Sequence, residues 1–144
     1  MAKTLNIFSK IRYLRERYYR VAVTKESLLK LLDEAEIAEQ VYNSNAIENS
    51  TLTLEETEKI LLQIDLDRYI RERELFEAKN LARVVSYINT KAKEQELNLE
   101  MILFLHKMLL SNIRNDVAGR FRNNDEWVRV ANHIALDPNQ VVER

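Results

Sequence analysis

Cysteine, glycine and proline are the residues that this chain lacks or almost lacks. Its 144 residues include no Cys, one glycine (Gly119) and one proline (Pro138). The absence of Cys excludes disulfides and thiolate ligands, and a single glycine excludes the glycine-rich phosphate loops of Walker and dinucleotide-binding proteins. His106 and His133 lie too far apart for a zinc-ligand pair, so we expect no metal site. Because Gly and Pro are the main helix breakers, the chain before Gly119 is predicted to be almost entirely helical.

Charge and hydropathy are close to those of an ordinary globular domain. The net charge is −1, 46% of the residues are apolar and 31% are charged. This length and composition predict a single domain over residues 1–144, with no nucleic-acid or membrane partner. No apolar run is typical of a signal peptide or a membrane span, and together with the absence of Cys this leads us to expect a cytoplasmic protein.

Hydrophobic periodicity predicts five helices. Their approximate bounds are 3–22, 25–48, 54–63, 66–93 and 99–112. Side chains that suit helix N-caps precede the last four, with Thr53 and Glu56 forming a capping box. The predicted caps are Thr24, Thr53, Asp65 or Asp67, and Asn98.

The first two predicted helices carry opposite charges. The first is basic and the second acidic, which predicts an antiparallel pair. Their apolar stripes would form its seam: Ile7, Ile11, Leu14, Tyr18 and Val21 on the first, and Leu28, Leu31, Leu32, Ala35, Ala38 and Val41 on the second. The basic, aromatic surface between Arg12 and Arg20 also suits nucleic acid, but we favour a solvated helix face because the next helix supplies matching acid.

The pattern changes after Asp116. Gly119 is followed by Arg120 and Arg122, then by a polar stretch, and then by a short run of strand-forming residues. The strand formers are Trp127, Val128, Val130 and Ile134. We predict a loop and a small β-hairpin that ends at Pro138.

A hexapeptide at the end of the second predicted helix carries the strongest functional signal. It reads Ser44-Asn45-Ala46-Ile47-Glu48-Asn49. Ser44 and Glu48 are four residues apart and share a helix face, and Asn49 tolerates the left-handed backbone that closes a helix. The pattern of Ser, three residues, Glu and then Asn resembles the inhibitory helix motif of Fic proteins, which are AMP transferases.

Further segments resemble the same family in the same order. Glu77, Asn80 and Tyr87 resemble the pattern around its first core helix, and Leu105-His106-Lys107-Met108-Leu109 its Leu-His-x-x-Leu segment. Ala118-Gly119-x-Phe121-Arg122 is similar to its Ala-Gly-x-hydrophobic-Arg turn, in which Gly119 and Arg122 are the family residues. Residues 126–138 then fall where the family has a target-docking flap, which would be formed by Trp127, Val128, Arg129 and Val130.

The resemblance implies an all-α Fic-like helical domain with a small β-hairpin flap. An inhibitory helical region would occupy about 1–52 and the first part of a Fic core about 53–144. The family's catalytic loop, His-Pro-Phe-x-x-Gly-Asn-Gly-Arg, is not found in the sequence. We therefore expect no catalytic residue in this chain, which would be inactive alone and would be the regulatory portion of a longer AMP transferase using ATP and Mg²⁺.

In the family, the inhibitory glutamate competes with ATP phosphates for arginines, a role that the resemblance gives to Glu48. The substrate would be a target protein or the protein itself. With the catalytic helices missing, the apolar faces of helices four and five lack their cover, so we expect a homo-oligomer. The alternative is a non-enzymatic, antitoxin-like helical inhibitor that acts on a separate Fic protein. His106 lies in an apolar helix and is interpreted as a structural histidine.

Overall fold

The computed structural model describes residues 6–141 and is mostly helical in that range. It has five α-helices and one two-stranded antiparallel sheet. The elements are α1 (Ile7–Ala22), α2 (Glu26–Ile47), α3 (Leu54–Leu61), α4 (Glu72–Lys91), α5 (Leu99–Leu110), β1 (Arg129–Val130) and β2 (His133–Ile134), followed by a 3₁₀ turn (Pro138–Gln140). The predicted helices and the C-terminal hairpin are confirmed, while residues 3–5 of the first predicted helix lie outside the described range. None of the described helices combines the length and the apolarity that crossing a membrane requires.

The chain forms two compact units, which divide between Glu36 and Ile37, within α2. In the first unit, no residue of α1 is buried, and Leu28, Leu31 and Leu32 at the start of α2 are also exposed. The predicted antiparallel pairing of α1 with the first half of α2 is therefore wrong. Turn hydrogen bonds continue beyond α1, from Thr24 N to Val21 O (3.0 Å) and from Lys25 N to Ala22 O (3.2 Å), and the connection does not fold α1 back. The predicted stripe of α2 is buried only at Ala38 and Val41.

The second unit has a small core around the end of α2. Val41, Leu52, Ile60 and Ala78 are buried together. The half-buried side chains packed against them come from α2, α4 and the loop between α3 and α4: Ile37, Leu66, Ile70, Leu75, Leu81 and Ala82. α4 packs against both α3 and α5, so this helix connects the core to the C-terminal part of the chain.

Two of the four predicted helix caps are confirmed. Thr53 and Glu56 form the reciprocal capping box at α3, and Asn98 accepts a hydrogen bond from Met101 N (2.8 Å) at α5. Thr24 does not cap α2, because its hydroxyl donates to Val21 O (2.9 Å) and so terminates α1 instead.

The prediction that Asp65 or Asp67 caps α4 is also wrong. α4 begins only at Glu72, after an irregular loop over residues 62–71. Asp67 lies in that loop and pairs with Lys59 (3.3 Å). The loop is long because its apolar residues pack into the core instead of extending the helix.

Candidate functional site

The hexapeptide motif forms the last turn of α2 and its exit. Asn49 has a φ of 64°, in the left-handed region, as the sequence predicts. Asn49 N donates to Ala46 O (3.2 Å) and Ser50 N donates to Asn45 O (3.0 Å). These two bonds are the Schellman pattern, which satisfies the last carbonyls of a helix and fixes the direction in which the chain leaves it.

The polar side chains of the motif divide between solvent and interior. Ser44 and Glu48 are exposed, whereas Asn45 is buried. Among the described residues, no side chain or backbone group pairs with the Glu48 carboxylate. The Asn45 amide nitrogen is buried without a hydrogen-bond partner. The helix end therefore presents an uncompensated carboxylate on a backbone that is fixed on both sides.

Glu74 holds the chain just after the motif, and sequence reasoning missed it. This side chain is 4% exposed and accepts from Thr51 N (2.7 Å), with weaker bonds from the hydroxyls of Thr51 (3.3 Å) and Ser50 (3.5 Å). The hydrogen bond from Arg71 and then the bond from Thr51 N lower the pKa of Glu74 to about 2. A signal was present in the sequence, because Glu74 precedes Ala78 by four residues and so lies on the buried stripe of α4.

Arg68 binds the carbonyl group of Thr51, whose N–H is bound by Glu74. Its Nη2 donates to Thr51 O (2.9 Å) and to Glu56 Oε2 (2.9 Å). The bond from Arg68, followed by the bond from Thr53 N, lowers the pKa of Glu56 to about 2. Both backbone groups of Thr51 are therefore bonded to charged side chains, which fixes the exit from α2.

Of the α4 residues in the family resemblance, Asn80 has the clearest structural role. It is 2% exposed, and its Nδ2 donates to Leu109 O (3.0 Å) and Ser111 O (2.7 Å), two carbonyls at the end of α5. Tyr87 packs against Phe104 with a ring-centroid distance of 5.2 Å, and Glu77 pairs at the surface with Arg73 (2.8 Å). The contacts of Asn80 and Tyr87 hold α4 and α5 together, whereas the Glu77–Arg73 pair lies within α4.

Gly119 brings two of the motif-like segments together. Its N–H donates to Nδ1 of the half-buried His106 (3.2 Å), which gives that histidine the predicted structural role. The φ of Gly119 is +74°, and a Cβ at this position would lie 2.8 Å from Lys107 Cβ. Only glycine satisfies both constraints, since it has no Cβ and adopts positive φ freely.

The base of the hairpin is fixed by arginines. Arg120 forms a two-pronged ion pair with Glu126 (2.6 and 2.7 Å), and this pair, followed by a bond from Asn123 N, lowers the pKa of Glu126 to about 2. Arg122 donates from Nη2 to Leu136 O (3.0 Å), while its Nη1 is buried without a partner. Both arginines therefore bond within the hairpin base.

The hairpin itself is exposed. Arg129 pairs with Ile134 and Val130 with His133, and Trp127 and Val128 precede them on the same exposed segment. Ala131 begins the two-residue turn and has a φ of 52°. The predicted flap residues thus form a short, solvent-accessible ribbon. Within residues 6–141, no cluster of His, Cys, Asp or Glu has the arrangement of a metal site.

No protein-family model matches this sequence, and no curated protein is significantly similar to it.

Proposed function

We propose that this chain is the regulatory portion of an autoinhibited Fic-type protein that transfers AMP from ATP to hydroxyl side chains of target proteins. The observation that carries the proposal is the exposed carboxylate of Glu48 at the end of α2. Its backbone is fixed by the left-handed Asn49 and by the bonds of Glu74 and Arg68 to Thr51. An inhibitory carboxylate needs this combination of a free charged group and a rigid support, because a mobile group would move aside for the nucleotide.

Glu48 would act by competing with phosphate. Arginine binds phosphates and carboxylates with the same planar fork, so a carboxylate at a nucleotide-binding arginine occupies its donors. It also places negative charge near the terminal phosphate, and like charges about 4 Å apart at a protein surface cost on the order of 4 kcal/mol. ATP and Mg²⁺ would bind to the longer protein, since the catalytic loop is absent from this chain.

The hairpin would serve as the docking surface for the target. Its strands, Arg129–Val130 and His133–Ile134, are exposed and offer main-chain groups for strand addition. Pairing of this kind recognises the backbone more than the side chains of the partner. A modifying enzyme that acts on several proteins, or on itself, would benefit from this tolerance.

The first test is to read the gene beyond Arg144. A following His-Pro-Phe-x-x-Gly-Asn-Gly-Arg segment supports the proposal, and a reading frame that ends without it overturns the enzyme assignment. The protein with that segment is then assayed for incorporation of labelled AMP.

Glu48→Gly should raise the rate of AMP transfer at least tenfold, and Glu48→Gln should also raise it because the charge is removed. Glu39→Gln is the matched control, since Glu39 is an exposed glutamate on the same helix. Equal rates for the parent and both Glu48 variants would contradict the inhibitory role.

A further inference from the structure

We draw no further inference here: the strongest candidate, the exposed apolar surface patch along α1 and the first half of α2, carries none because nothing within residues 6–141 shows what covers it.

Discussion

Removal of the Glu74 carboxylate is the most informative single perturbation of the second unit. In Glu74→Ala, Thr51 N loses an acceptor at 2.7 Å, and the Arg71 guanidinium loses its partner at 3.1 Å. A hydrogen bond to a charged group contributes about 1.5–3 kcal/mol. Arg71 is mostly exposed, so its ion pair adds at most about 1 kcal/mol. We expect the free energy of unfolding to fall by about 3 kcal/mol.

The assay is urea or thermal unfolding followed by circular dichroism. For a unit of this size, the expected loss corresponds to a fall in the melting temperature on the order of 10 °C. Amide hydrogen exchange at Thr51 should accelerate together with this loss, because its N–H then lacks a protein acceptor.

Glu77→Ala is the matched control. Glu77 is on the same helix, but its only described ion pair is with the exposed Arg73, so its removal should cost less than about 0.5 kcal/mol. If the two variants unfold at the same urea concentration, Glu74 does not hold the exit from α2 as argued here.

Three further predictions concern backbone strain and pH. Gly119→Ala should lower the free energy of unfolding, measured in urea, by about 2 kcal/mol or more. The alanine would have to keep a positive φ, and its Cβ would meet the side chain of Lys107. An unchanged urea midpoint would contradict this tight approach. Ala131→Gly should stabilise the hairpin by about 1 kcal/mol, because glycine adopts the φ of 52° at this position without strain. Amide hydrogen exchange in the hairpin should then be slower, and faster exchange would contradict the prediction. The pKa values of Glu56, Glu74 and Glu126 fall to about 2 on folding, so their contribution is complete above pH 4.5 and is lost as the pH falls towards 2. The urea midpoint should therefore be lower at pH 3 than at pH 6, and this difference should shrink in Glu74→Gln.

Local signals in the sequence were sufficient to predict most of the helices and some of the residues at which they begin or end. The capping box at Thr53 and the left-handed Asn49 each depend on atoms within a few residues, so the pattern alone specifies them. Thr24 shows the limit of this reasoning, because a threonine between two helices can bond to either one. Here it bonds back to Val21.

Contacts between distant segments were not predictable in the same way. The apolar stripes of α1 and α2 indicated burial, but a stripe does not specify its partner, and the partner inside the chain was predicted wrongly. Glu74 pairs with Thr51 across a loop, and no spacing rule connects these two positions. The motif at Ser44 to Asn49 was found from the sequence, while the residues that fix its backbone were found only in three dimensions.

Because Trp127 lies beside the hairpin, tryptophan fluorescence can follow the hairpin separately from the rest of the chain. It is the only tryptophan of the chain, it lies just before β1, and its side chain is 57% exposed. Indole fluorescence is sensitive to the polarity around the ring, so excitation of tryptophan reports on this ribbon and on no other part of the molecule. If a peptide adds a strand beside this hairpin, the tryptophan emission of the unlabelled protein should shift to shorter wavelength.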